Sequence, residues 1–171
     1  MKPLLFLMLL GALLLSNSSL AQLPPFPRAG SEYAFARALE RGGAVLAVDY
    51  VTLFVGEAGC TQGIQAGYYK SRKDCDFLEM DSVGFGNKSK QLRRFPLNNV
   101  MKYKILNQTE GKDWTLRTVT TAQFRLLLSG QNAALEKQVG QLYATLPMPD
   151  TLLELRFAGG KLYEIQQVYQ P

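Results

Sequence analysis

The two cysteines of the chain, Cys60 and Cys75, enclose the segment CTQGIQAGYYKSRKDC, which also carries two adjacent tyrosines and several basic residues. Two thiols can form a structural disulfide or act in redox chemistry, and their spacing differs from the C-x-x-C pattern of thioredoxin-like redox sites. In an oxidising compartment, two thiols tend to pair and stay paired. We therefore predict a Cys60–Cys75 disulfide that closes a loop of about 15 residues and stabilises the fold by about 3 kcal/mol on the chain-entropy model.

Basic residues are concentrated in and after this loop. Of the 19 Lys and Arg residues, nine lie between residues 70 and 104, against four acidic residues in the same range. Cations interleaved with aromatic rings suit an acidic protein or an anionic envelope component, whereas the simpler interpretation is a solvated basic rim that keeps the protein soluble. No nucleic-acid-binding signature is present, so nucleic acid is not expected as a partner. The predicted binding residues are Tyr68, Tyr69, Lys70, Arg72, Lys73, Arg93 and Arg94.

Asp49 is the best candidate for acid–base chemistry. It interrupts the apolar run AVLAVDYVTLFV and shares a strand face with Val51 and Leu53, where a buried carboxylate needs a partner or a function. Glu57 is the nearest carboxylate that could complete a glycosidase-like or other acid–base pair. A small hydrolase that uses a carboxylate pair including Asp49 is therefore the alternative function, and a satisfied structural aspartate is the simpler interpretation. We assign no catalytic residue.

The chain contains no histidine, which removes the usual general base near neutral pH and the commonest transition-metal ligand. The acidic run DCDFLEMD lacks the spacing and the glycine of an EF-hand loop, so we expect no metal site and no cofactor. The run VGFGNKSK lacks the glycine that directly precedes the Lys-Ser pair of a P-loop. We predict a mobile loop with flexible glycines there.

Residues 1–21 have the pattern of a secretory signal peptide, with a positive start, an apolar run at 4–15 and small residues before the expected cleavage point. The apolar run is shorter than the roughly 20 residues that span a bilayer as a helix, so no membrane span is expected. Residues 22–30 contain three prolines and should form an extended arm. Residues 31–171 should form a single domain of a periplasmic or secreted protein.

Local patterns predict the elements that position these residues. Ser31 can cap a helix that continues to about Arg41 and ends at Gly42-Gly43. The β-branched and aromatic run from Ala44 to Val55 predicts a strand in the centre of a sheet.

Two hairpins and two helices are predicted in the second half of the chain. A hairpin begins at Met101 and turns near Glu110-Gly111. A capping box at Thr120 opens a helix that breaks at Gly130. A second helix follows, with an apolar stripe formed by Leu135, Val139, Leu142 and Leu146.

The last hairpin has a register that the alternation constrains. A two-residue Gly159-Gly160 turn would set Leu155 opposite Glu164, and matching the apolar residues instead requires an odd loop. We predict a three-residue turn with a bulge that matches Leu155 and Phe157 with Tyr163 and Ile165.

Together these elements predict an α+β fold, a mostly antiparallel sheet with helices packed on one side. Their order is loosely similar to that of cystatin-like or NTF2-like rolls, a likeness at the level of fold alone. The function that we expect is that of a small exported, non-enzymatic binding or interaction module that uses the disulfide-closed basic and aromatic loop. An inhibitor, an immunity-type protein and an envelope-assembly accessory would all fit this description, and so would an envelope component whose exposed hairpin edges pair with a neighbour.

Overall fold

The computed structural model describes residues 30–80, 82–108, 114–143, 148 and 151–168. The predicted signal peptide and all but the last residue of the predicted arm lie outside these ranges. The strands are β1 (Ser31–Glu40), β2 (Val45–Val55), β3 (Val83–Gly86), β4 (Arg93–Pro96), β5 (Lys102–Gln108), β6 (Trp114–Val119), β7 (Gln141–Leu142), β8 (Leu152–Ala158) and β9 (Lys161–Gln167). The helices are α1 (Gly56–Gln65), α2 (Thr121–Leu128) and α3 (Asn132–Val139), with 3₁₀ turns over Arg72–Met80.

The strands form one curled sheet in the order β3-β2-β1-β8-β9-β5-β6, with β4 also paired to β2 and β7 also paired to β5. The β5–β9 pair is parallel and the other described pairs are antiparallel. The prediction of an α+β fold with a mostly antiparallel sheet is confirmed. No helix in the described part of the chain is both long enough and apolar enough to cross a bilayer.

The first element is a strand, so the helix predicted from Ser31 to Arg41 is wrong. β1 pairs with β2 on one side and with β8 on the other, and it buries residues on both of its faces. Its apolar residues occur at helical and at alternating spacings, and this two-sided burial favours the strand. Positive φ angles at Arg41, Gly42 and Gly43 make the β1–β2 turn instead of ending a helix. The likeness to cystatin-like or NTF2-like rolls is not confirmed, and the N-terminal helix on which it partly rested is a strand in the structure.

The main hydrophobic core lies between one face of the sheet and helices α2 and α3. Phe124 of α2 and Leu135 of α3 are fully buried there together with Ile105 of β5. The ring of Tyr103 stacks on Phe124 with 4.9 Å between centroids. The predicted β5–β6 hairpin is confirmed by the strand pairing, although its turn lies outside the described residues. The capping box at Thr120 is also confirmed, with Gln123 as its partner.

The second helix is shorter than its apolar stripe suggested. α3 ends at Val139, and Gly140 then turns the chain at a φ of 88°. Leu142 lies in β7, opposite Asn107 of β5, so its apolar side chain reaches the core from a strand and not from the helix. Leu146 lies outside the described residues.

The β8–β9 hairpin has the predicted bulge but a two-residue turn. Ala158 pairs with Lys161 across Gly159-Gly160, and the register shifts by one residue between Arg156 and Phe157. This shift sets Leu155 opposite Ile165, as predicted, but Phe157 lies opposite Leu162 and not Tyr163, and the predicted three-residue turn is wrong. The bulge in β9 replaces the odd loop as the device that keeps apolar residues on one face.

The opposite face of the β8–β9 pair carries a buried polar ladder. Glu164 accepts hydrogen bonds from Arg156 at 2.9 Å and lies 3.0 Å from the Lys104 ammonium. Glu154 accepts from the Ser31 hydroxyl at 2.6 Å and from the Gln166 amide at 3.3 Å. Burial by itself raises the pKa of Glu164, but the hydrogen bonds from Arg156 and Lys104 outweigh it and hold the pKa below its ordinary value.

Candidate functional site

The predicted disulfide is present and it connects two helical segments. Cys60 lies in α1 and Cys75 lies in the 3₁₀ turns, with 5.5 Å between their Cα atoms. Both residues are fully buried in a small second core with Phe54 and Leu78. The bond therefore connects α1, the helix that follows β2, to the 3₁₀ turns, and we call residues 60–75 the stapled segment.

The two tyrosines of the stapled segment pack inward. Tyr68 and Tyr69 are half-buried, with ring centroids 5.2 Å and 5.6 Å from that of Phe54. Burial raises the pKa of Tyr69. These contacts place the tyrosines beneath the surface of the segment, where they support the residues around them.

Three glycines make room for these rings. A Cβ atom added at Gly63 or Gly84 would overlap Tyr69, and one added at Gly86 would overlap the ring of Tyr68. Gly84 and Gly86 belong to β3, which pairs with residues 52–55 of β2. The mobile loop predicted for VGFGNKSK is therefore wrong over its first four residues. The glycines there serve close packing in a strand.

The turn between α1 and the 3₁₀ segment is held by Asp74. Its Oδ2 accepts hydrogen bonds from the backbone N–H groups of Lys70 and Ser71, at 3.0 Å and 2.9 Å, and from the Ser71 hydroxyl at 3.2 Å. Asp74 thus orders the backbone from which the basic side chains project. Within the described residues, no three Asp, Glu, Cys or His side chains come together as metal ligands would.

The connector between β3 and β4 touches the stapled segment through Lys88. The Lys88 ammonium donates to the Ala66 carbonyl and lies 4.8 Å from the centroid of the Tyr68 ring. β3 pairs with residues 52–55 of β2 and β4 pairs with residues 45–48 of the same strand, and residues 87–92 form an excursion between them. The excursion therefore folds toward the stapled segment, where Lys88 contacts Ala66 and Tyr68.

The exposed cations around this contact differ in their pairing. Arg72 pairs with Glu57 at 2.7 Å, and Arg94 pairs with Glu40 at 3.0 Å. The hydrogen bond from Arg94 lowers the pKa of Glu40. Four other cations are exposed and form no ion pair with any residue that the structure describes: Lys70, Lys73, Lys90 and Arg93.

Asp49 and Glu57, the carboxylates of the alternative hydrolase, lie in different surroundings. Asp49 is buried in β2 and pairs with Arg37 at 3.1 Å. Glu57 lies beyond the end of β2 and pairs with Arg72. From Asp49 to Val55 the strand advances about 20 Å, more than twice the separation of a glycosidase carboxylate pair. Each of the two carboxylates has an arginine as its partner. For Asp49 this is the arrangement expected of a structural aspartate.

Two surface hollows were not predicted from the sequence. One, of about 470 Å³, is lined by Glu32, Tyr50 and Phe157. Burial raises the pKa of Tyr50, assisted by Glu32 and opposed by Arg93. The other, of about 600 Å³, lies at the end of α3. Asp49 is not among the described residues that line either hollow.

The stapled segment carries five of the residues predicted to bind. The structure places this segment in contact with the connector that carries Lys88 and Lys90. Those two lysines were absent from the predicted site. The contact of Lys88 with Ala66 and Tyr68 follows from the pairing of β3 with β2, which no local pattern reports. Comparison with protein-family models, with curated proteins and with solved structures finds no match to the chain.

Proposed function

We propose that the protein is a non-enzymatic binding module that holds the acidic surface of a partner protein. The contact surface consists of four cations, Lys70, Lys73, Lys90 and Arg93, which we call the basic surface. The observation that supports this proposal best is the contact of Lys88 with Ala66 and Tyr68, because it joins the stapled segment, which carries Lys70 and Lys73, to the connector that carries Lys90. Arg93 is the first residue of β4, directly after that connector.

The charges of the basic surface are its recognition elements. A cation that forms no ion pair with the described residues is available to a carboxylate of another protein, whereas Arg72 and Arg94 are already paired with Glu57 and Glu40. Complementary charge accelerates encounter and selects among partners more than it adds to affinity. A partner with spaced acidic residues would meet the four free cations.

The surface is rigid before it binds. The disulfide, the turn held by Asp74 and the packing of Tyr68 and Tyr69 on glycines fix the backbone beneath the cations. A surface that is ordered in advance loses less conformational entropy on binding. The two tyrosines act in this proposal as supports beneath the cations.

The disulfide also supports an oxidising location, periplasmic or secreted, because such bonds persist outside reducing compartments. An inhibitor, an immunity-type protein and an assembly accessory would each use a preformed charged surface in this way.

The experiment compares two double charge reversals. Lys73→Glu with Lys90→Glu removes two cations of the basic surface, and Lys137→Glu with Lys161→Glu makes the same change in net charge at exposed lysines elsewhere. The probe is immobilised poly-L-glutamate, and the measurement is the NaCl concentration at elution. We expect the first variant to elute at clearly lower salt and the control to lose much less retention, because close charges dominate at short Debye lengths.

Equal losses in the two variants would show that net charge alone causes retention, and would contradict the proposal. A second arm uses phosphatidylglycerol vesicles in a flotation assay. If the basic surface is needed for vesicle flotation but not for retention on polyglutamate, the partner is a lipid surface and the proposed protein partner is wrong.

A further inference from the structure

The sheet has two ends that differ in how well they are protected from pairing. At one end lie β3 and β4, and at the other lies β6. Strand edges expose backbone N–H and C=O groups, and proteins protect them with short strands, prolines, lysines and bulges. The β3–β4 end has three of these: two strands of four residues, Pro96, and an excursion that carries Lys88 and Lys90.

β6 has none of these protections. Its six residues, WTLRTV, contain no proline, lysine or glycine. Its one charged residue, Arg117, turns toward α3 and donates to the Val139 carbonyl at 2.8 Å. Among the described strands, only β5 pairs with β6.

The hydrogen bonds of Leu106 show which backbone groups of β6 point outward. The Leu106 N–H donates to the Gln167 side chain, and its C=O accepts from the Tyr143 N–H, so both groups point away from β6. Leu116 lies directly opposite Leu106. In an antiparallel ladder, opposed residues either bond each other or both point away. The N–H and C=O of Leu116 therefore point away from β5, and those of Trp114 and Thr118, two residues to either side, do the same.

These three outward-pointing residues are symmetric about Leu116. We propose that β6 pairs antiparallel with β6 of a second copy of this chain, about a twofold axis at Leu116. Leu116 then faces its own counterpart and Trp114 faces Thr118 of the second copy, so that every outward N–H meets an outward C=O. A twofold axis produces a closed pair with identical contacts on both sides.

The side chains fit this register and exclude the neighbouring one. With the axis at Leu116, Arg117 lies opposite Thr115 of the second copy and no like charges face each other. With the axis at Arg117, two arginines would lie opposite each other, which is destabilising.

The first test is sedimentation velocity of the purified oxidised protein over a wide concentration range. We expect a reversible dimer. Thr118→Pro removes an outward N–H and leaves the β5–β6 bonds intact, since proline is tolerated at a strand edge. It should weaken self-association about tenfold or more. The matched control, Thr118→Val, keeps the N–H and should dimerise like the unmodified protein. A protein that stays monomeric at every concentration would overturn the proposal, and its β6 edge would be left to a different partner.

A second pair of variants tests the register and does not depend on how Thr118→Pro folds. Leu116→Cys places two thiols opposite each other across the axis, within the Cα–Cα range of disulfides. Under mild oxidation it should form a covalent dimer much faster than Thr118→Cys, whose thiol faces Trp114. Equal rates of cross-linking would overturn the pairing about Leu116.

Discussion

Glycine identity at single positions decides where the aromatic residues of the stapled segment lie. Tyr68 and Tyr69 stand among cations in the sequence, which suggests exposed rings. In the structure Gly63, Gly84 and Gly86 leave the volume that the rings occupy. A tyrosine next to a lysine therefore contributes to the basic surface from below.

This packing gives a prediction for Gly84→Ala. The added methyl group would overlap the Tyr69 hydroxyl and crowd Leu78 and Phe77, and such overpacking costs about 1–3 kcal/mol. Urea unfolding of the oxidised protein measures the loss. Because the overlap involves the hydroxyl, Tyr69→Phe in the Gly84→Ala background should recover part of it. No recovery in the double variant would show that the strain arises elsewhere.

Glu164 gives a prediction for pH dependence. Its pKa is lowered in the folded protein by Arg156 and Lys104, against the effect of burial. A group with a lowered folded-state pKa stabilises the fold above its unfolded pKa, and this contribution is lost as the pH falls through the folded-state pKa. Glu164→Gln should therefore cost about 1–3 kcal/mol at pH 7, and much less at a pH below the folded-state pKa of Glu164.

The measurement is the free energy of unfolding as a function of pH. The control is Glu57→Gln, which removes an exposed partner of Arg72, and exposed pairs contribute about 0–1 kcal/mol. If Glu164→Gln and the original protein lose stability in parallel as the pH falls, Glu164 is not the source of the acid sensitivity.

At the scale of elements, the Cys60–Cys75 disulfide connects α1 to the 3₁₀ turns and so holds the segment that carries Lys70 and Lys73. Replacing both Cys60 and Cys75 by alanine should lower the free energy of unfolding by about 3 kcal/mol. The same variant should need less NaCl to leave polyglutamate, because the cations lose their fixed spacing. Urea unfolding and salt elution measure the two effects. If elution is unchanged while stability falls as expected, the disulfide stabilises the fold but does not contribute to binding.

Elements with one strong pattern could be predicted, and those with two competing patterns could not. The capping box at Thr120 and the strand containing Asp49 have a single interpretation, and both are found. β1 fits helical and strand spacing alike, and only its pairing with β2 and β8 resolves it. Gly84 and Gly86 indicate a loop until their aromatic neighbours are known.

At the scale of the whole molecule, the sequence showed which residues are basic but not which of them are free. The cluster between residues 70 and 104 could be counted directly. The pairing of Arg72 with Glu57 and of Arg94 with Glu40 spans 15 and 54 residues. The contact that brings the connector to the stapled segment spans 22 residues. Long-range contacts of this kind leave no local signature, so the composition of the basic surface had to come from the fold.

The position of β9 has a consequence for how the chain reaches this fold. β9 is the last described strand in the chain, yet it lies between β8 and β5 and is their only link in the strand order. Until residues 161–167 have been synthesised, no strand connects β8 to β5, and each of these two strands has an unpaired edge. Topologies dominated by distant pairings close slowly, so the nascent protein cannot complete this sheet until the β8–β9 hairpin has been synthesised.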